Sequence, residues 1–315
     1  MTDCRSGISD RNDPASDKAA PRSVLPLGKV LRNGARTPQN SSMKRGEKDI
    51  MKPDFKALIL EQSGEVLTIR MNRPERLNAL NPQLVSELRE VFQSLYFDRT
   101  VRVVVLEGAG RAFCAGLDLK ETGGGQGKRS IEQGLDNQRS IAEIYVAMRR
   151  CPQPIISLVQ GAASGGGFAL ALASDIRILS EDARMNAAFI RIGLSSCDMG
   201  VSYFLPRMVG MSLASEYMLT GRFISAQRAM EIGLANRVVP ASAMRNEADG
   251  FVEDMLNATP LGLRLTKDGL NIAVDVSGLE AAMAIEDRNQ VLTANDPNFA
   301  EGVAAFFEKR KPNYA

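Results

Sequence analysis

A chain of 315 residues, 44% of them hydrophobic, is long enough for one large domain or two modest ones. Its formal net charge of +2 argues against a general nucleic-acid binder, and no apolar run reaches membrane-spanning length. The complete absence of histidine excludes Ser-His-Asp and Cys-His nucleophilic devices and every His-ligated metal site.

Any acid-base chemistry must therefore use Asp, Glu, Lys, Tyr, Cys or a backbone-bound water. Cys4, Cys114, Cys151 and Cys197 lie far apart and form no CxxC pair. That spacing suits a reducing, cytoplasmic compartment and offers no metal pattern.

Residues 1–50 are poor in aromatics and rich in Ser, Asp, Asn, Pro, Lys and Arg, and they read as a disordered N-terminal extension. Two strands follow, Ala57–Glu61 and Val66–Met71, with Ser63-Gly64 as the turn between them. Asn81 before Pro82 is an N-cap and first-turn pair, and Leu84, Leu88 and Val91 supply the helical stripe behind it. Arg102–Gly108 is a buried strand, and Gly123–Lys128 reads as a flexible loop. A helix from about Ser130 to Arg150 leads to another strand, Pro154–Val159.

The stretch after that strand, QGAASGGGFALALASD, places Gly165, Gly166 and Gly167 where a strand turns into an apolar helix. Glycine permits sharp turns and close approach to the main chain, and the first amides of a helix have no intrahelical partner. Such a junction can stabilise an anion, either a phosphate or a developing oxyanion. No GxxxxGK[ST] is present, which weakens the phosphate version. Tight strand-to-helix packing without a ligand would also explain the glycines.

Asp175–Leu179 is a further strand, and residues 181–203 read as irregular. Short helices cover 203–219 and 226–233, and the last strand ends at Val238-Val239-Pro240. From Ala241 onward only helices are expected, giving a core over 51–240 and a helical region over 241–315.

Three stretches in this order, MNRPERLNALN, RAFCAGLDLKE and GAASGGGFALALASDIRI, resemble the crotonase superfamily, the enoyl-CoA hydratase/isomerase family. RIGLSSCDMGVSYFLPRMVG and LTGRFISAQRAMEIGLANRVVP match it too, so the resemblance covers about residues 56–312. It implies an α/β fold, a spiral of ββα units with a helical C-terminal trimerisation region, and homotrimers that often pair into hexamers. It implies an acyl-CoA thioester as substrate, with coenzyme A arriving as part of it and no separate cofactor, metal, nucleic acid or membrane.

By position, the amides of Leu117 and Gly166 would hold the thioester oxygen. Ala115, Leu117, Asp118, Leu119 and Lys120 would line the CoA-binding segment with Gly165 and Gly166, and Arg76, Leu77 and Ala79 its nucleotide end. Arg76 would equally serve as a solvated surface charge. Lys309-Arg310-Lys311 would meet CoA phosphates from a neighbouring subunit or complement a helix C-terminus.

The chain departs from the hydratase pattern at both of its glutamate positions, which are Ala169 and Phe189 here. Asp198 matches an active-site aspartate of the dienoyl-CoA isomerase and chlorobenzoyl-CoA dehalogenase branches and is the leading acid-base candidate. Its plain alternative is an N-cap on a helix through Met199–Leu205. Glu143, Cys114, Cys197 and Tyr203 are weaker candidates. The expected activity is that of an enoyl-CoA hydratase/isomerase-type enzyme, in fatty-acid or related acyl-CoA metabolism. A dienoyl-CoA isomerase-like enzyme, a thioester hydrolase and a non-catalytic acyl-CoA-binding scaffold remain as alternatives.

Overall fold

The computed structural model describes residues 55–121 and 130–315. The expectations of disorder for residues 1–50 and of a flexible loop at Gly123–Lys128 lie outside the described residues. Strand β1 (Leu58–Ser63) turns at Gly64, φ +57°, into the antiparallel β2 (Val66–Met71). Helix α1 (Pro82–Leu95) starts where the sequence indicates, with the Asn81 side chain accepting from the Leu84 amide at 2.9 Å. Strand β3 (Val103–Gly108) precedes α2 (Ile131–Arg150), whose N-terminus is closed by a reciprocal Ser130–Gln133 capping box. Next come β4 (Ile155–Val159), β5 (Ala162–Ser164) and α3 (Gly166–Ala173).

Strands β6 (Ile176–Ser180) and β7 (Arg184–Asn186) lead into a 3-10 turn over Ala188–Ile192. The region read as irregular thus contains β7, whose three residues are too few for alternation to show. Helices α4 (Val201–Val209) and α5 (Met211–Thr220) replace one expected helix, parted at Gly210, φ +81°. Then follow β8 (Ile224–Ser225), α6 (Ala226–Glu231) and β9 (Arg237–Val239). Four helices end the chain: α7 (Met244–Leu256), α8 (Pro260–Ala273), α9 (Leu279–Ala294) and α10 (Pro297–Glu308).

The strands form a six-stranded sheet, β1-β2-β3-β4-β6-β9, parallel from β2 onward, and a three-stranded sheet, β5-β7-β8. Isolated bridges extend the short-strand layer, Leu80 to Leu117 and Cys114 to Ala163. Each turn of the chain therefore repeats a long strand, a short extended piece and a helix. Strands β3 and β4 are apolar apart from Glu107 and Ser157, because both faces are covered. Val104, Leu106 and Ile155 face the main core with α1 to α3, while Val103, Val105, Ile156 and Leu158 pack beneath Met244, Ala248 and Val252 of α7. Among the described residues no helix is long and apolar enough to cross a membrane.

Helix α8 is tied to this body by a buried cation. Lys267 is 4% exposed, and its Nζ lies 2.8 Å from Asp175 Oδ2 and donates to the Gln153 carbonyl at 2.8 Å. The same Asp175 oxygen accepts from the Ile155 amide at 2.7 Å. Lys267→Ala should cost about 3 kcal/mol, the lower end for a broken buried pair, because the 25% exposed Asp175 side chain keeps some water. The denaturant midpoint measures it, and an unchanged midpoint would mean that the pair contributes nothing.

Candidate active site

The loop after β3 is held from below by Asn78. This buried residue, at φ +53°, donates to the carbonyls of Ala109 at 2.9 Å and Ala112 at 2.8 Å. Further along, the Leu80 amide donates to the Gly116 carbonyl at 2.7 Å and the Asp118 amide to the Leu80 carbonyl at 2.9 Å. Peptide groups alternate in direction along extended chain, so the Leu117 amide between these two bonds points away from Leu80. Gly116 adopts φ +93°, and a Cβ there would stand 2.7 Å from the Ser164 carbonyl oxygen and 3.6 Å from the Gly166 nitrogen. The loop therefore runs against the glycine triplet.

Each glycine of the triplet has a different reason to be there. Gly165 adopts φ +51° and donates its amide to the Asn186 carbonyl at 3.0 Å. Gly166 is the first residue of α3, where an amide has no partner within the helix. Gly167 presses on the preceding loop, since a Cβ there would lie 2.0 Å from the Cys114 carbonyl oxygen. Among the described residues, no protein acceptor meets the amides of Leu117 or Gly166.

Both residues line one cavity of about 120 Å³, which also takes in Ala115, Leu119, Gly165, Gln138, Phe189 and Asp198. Asp198 is the only ionisable side chain among the described residues of this lining. Its Oδ1 accepts from the Met199 amide at 2.7 Å and from the Gln138 side chain. Burial pushes its carboxyl up from its ordinary value, and those two hydrogen bonds oppose the shift without cancelling it.

The capping alternative for Asp198 does not hold. Helix α4 begins only at Val201, with Gly200 at its N-cap and no side-chain cap. Met199 and Gly200 form a left-handed turn, φ +50° and +83°, that sets Asp198 back from the helix. Tyr145 stands beside this turn, its single hydroxyl proton within reach of the Gly166 carbonyl at 3.1 Å and of Met199 Sδ, a weaker acceptor, at 3.2 Å. Burial, with Cys114 and Asp198 nearby, pushes the phenol well up, so it stays a neutral donor. The sequence reading missed Gln138 and Tyr145. A polar residue and a tyrosine on an amphipathic helix carry no signal of their own, and only their spacing of seven, two helical turns on one face, hinted at a shared target.

The sequence model of the enoyl-CoA hydratase/isomerase family matches residues 61–315. A protein designated probable enoyl-CoA hydratase, from Mycobacterium bovis, is 40% identical over 255 residues, covering 79% of this chain and 88% of its own. The 1,2-epoxyphenylacetyl-CoA isomerase of Escherichia coli is 33% identical over 249 residues, covering 79% and 94%. The crystal structure of enoyl-CoA hydratase from Bacillus anthracis superposes with a TM-score of 0.77 at 32% identity, covering 82% of this chain and 99% of that one.

The chain belongs to the enoyl-CoA hydratase/isomerase family.

The fold of stacked ββα turns with helices at the C-terminus is the crotonase fold of that family. The other residues that the family resemblance points to lie outside the cavity lining. Arg76 is exposed at the end of a 3-10 turn, Pro74–Arg76, and Leu77 follows in a left-handed conformation, φ 52°. Ala79 is buried, and its carbonyl accepts from the Arg73 guanidinium. Asp118 is buried as well, 3.1 Å from Arg73 Nη2. Its burial favours the neutral acid, but the Glu121 amide and the Arg73 guanidinium outweigh that and hold the carboxyl below its ordinary value. Lys120 is exposed.

Ala169 is fully buried within α3, whereas the Phe189 ring lies against Gly165 in the cavity wall. Glu143 faces Arg150 at 3.5 Å, and the Tyr203 hydroxyl donates to Asp275 at 2.8 Å. The Cys114 thiol is pushed up to about 12 by burial, which keeps it protonated and inert. Cys197 is exposed. In the basic run, Arg310 pairs with Glu301 and Lys311 with Glu253, so both charges are satisfied within the chain.

Proposed function

We propose that this enzyme binds an acyl-CoA thioester, holds its carbonyl oxygen with the amides of Leu117 and Gly166, and moves a proton with Asp198. The observation that carries this reading is a pair of amides without a protein acceptor among the described residues, on two residues that line one cavity with one elevated carboxyl. Negative charge that develops on the thioester oxygen would meet two preorganised donors, each commonly worth ~3–4 kcal/mol in a dry site. Asp198 would take a proton from a carbon next to the polarised system and return it to another carbon. The electron pair would rest in the enolate between the two steps, so no oxidant or metal enters the balance.

A single carboxylate suits this proton shift better than water addition by a two-carboxylate device, because Ala169 and Phe189 bring no acid to the cavity. Isomerase chemistry is therefore the favoured branch. The E. coli relative, named for isomerase activity, is consistent with that branch. The C-terminal helices would assemble three copies, a reading supported by apolar residues such as Phe306 and Phe307, 79% and 77% exposed.

A panel of crotonyl-CoA, longer 2- and 3-enoyl-CoAs and a dienoyl-CoA tests the proposal. Double-bond migration should exceed hydration on every substrate that turns over. Tight binding without turnover across the panel would refute the catalytic reading and leave an acyl-CoA scaffold.

A further inference from the structure

A second cavity, of about 210 Å³, adjoins the first, with Leu117 in the lining of both. It lies between the start of α1 and the face of α2, and its remaining walls are largely polar: Asn81, Ser86, Arg89, Asn137 and Ser140. Arg89 is the only charged residue among the described residues of this lining, and it is half-buried. Its guanidinium donates one hydrogen bond, to Ser140 Oγ at 2.7 Å, and meets no carboxylate among the described residues.

A guanidinium has five N–H donors in a planar fork that matches a carboxylate, so most of its donors meet no protein acceptor among the described residues. The nearby Glu121 does not serve as counter-ion. Its carboxylate is held by Arg73 at 2.8 Å and by the Asn81 side chain at 2.8 Å. The Ser86 hydroxyl and the Asn137 amide have no partner among the described residues and add neutral donors at the rim.

We propose that this cavity is an anion subsite for the acyl group, in which Arg89 receives a carboxylate at the far end of a dicarboxylic acyl-CoA. The inference rests on the proposed placement of the thioester oxygen at the Leu117 amide, which puts the acyl carbon at the partition between the two cavities. A methyl-ended chain directed the same way would place apolar atoms against an unpaired cation and strip it of water. A carboxylate-ended chain would form a charge-assisted, two-pronged pair. The subsite therefore discriminates by charge at the chain end rather than by length.

Titrating the full chain with glutaryl-CoA and valeryl-CoA, which both carry five acyl carbons, tests this without requiring turnover. The proposal expects glutaryl-CoA to bind at least tenfold more tightly. Arg89→Met should weaken glutaryl-CoA at least tenfold and valeryl-CoA less than twofold, while Arg89→Lys should keep part of the preference. Equal binding of the two ligands by the unaltered protein would overturn the subsite, even if Arg89→Met failed to fold. A preference that survives Arg89→Met would overturn it too, by placing the carboxylate elsewhere. Parallel weakening of free CoA and both acyl-CoAs in Arg89→Met would overturn it as well, by assigning Arg89 to a CoA phosphate. Failure of the unaltered protein to bind any of the three would instead refute the acyl-CoA reading on which the inference rests.

Discussion

Gly166→Pro is expected to lower turnover about 100- to 1000-fold while leaving the fold in place. Proline has no amide hydrogen, so the substitution deletes one of the two proposed oxyanion donors. Position 166 is the first residue of α3, the helical position at which proline's fixed φ and missing donor are best tolerated. Packing is the complication. A Cβ at 166 would meet Leu80 Cδ1 at 2.6 Å and both Met199 Sδ and the Tyr145 hydroxyl at 3.1 Å.

Gly166→Ala carries the same Cβ and keeps the amide, so the difference between the Ala and Pro variants isolates the donor. Leu117→Ala should be mild, because its N–H survives. Steady-state rates with thermal melts on all three variants decide the matter. Equal losses in the Ala and Pro variants would trace the damage to packing, and a Leu117→Ala loss as large as that of Gly166→Pro would point to side chains.

Asp198→Asn should lower the rate about 100- to 10000-fold, because it removes the only titratable group among the described residues of the cavity lining while keeping an oxygen for the Met199 amide and Gln138. The wild-type rate should fall at acid pH through an ionisation lying above the ordinary carboxylate value, and the variant should lack that limb. Stability should move the other way. A carboxyl raised in the folded state binds its proton more tightly there than in the unfolded chain. Wild type therefore gives up stability as pH rises through the folded pKa, and the Asn variant does not. At neutral pH the Asn variant should melt higher. That margin should shrink as pH falls and be gone below the unfolded carboxylate value of ~4. Full activity in Asp198→Asn would remove the residue from the chemistry.

Much of the spiral was legible because its long strands are predominantly apolar and its helices carry their own punctuation. Asn81-Pro82 starts α1, and Ser130 with Gln133 starts α2. The small sheet was not legible, since β5, β7 and β8 have three, three and two residues. Such pieces are fixed by long-range pairing rather than local pattern. The glycine triplet signalled a special junction, but its division of labour became visible only through φ values and neighbours. Asp198 was singled out by motif position, with an N-cap kept as its alternative, because an aspartate before an apolar run looks the same whether it caps a helix or precedes a left-handed turn. Gln138 escaped for a similar reason: the residue that orients Asp198 lies 60 positions earlier in the chain.

The two unpartnered amides belong to the main chain, fixed by Asn78, by the Leu80 pairing and by the close approach of Gly167 to Cys114. Phe189 and Asp198 reach the same cavity through side chains that stand on later segments than the helix Gly166 begins. A substitution at either position can therefore add or remove an acid without rewriting the segments that carry the two amides. On the proposed reading, a fixed pair of oxyanion donors thus stands beside two exchangeable side-chain positions. Under that proposal, changes at these positions would alter the acid-base chemistry while leaving the proposed hold on the thioester oxygen in place.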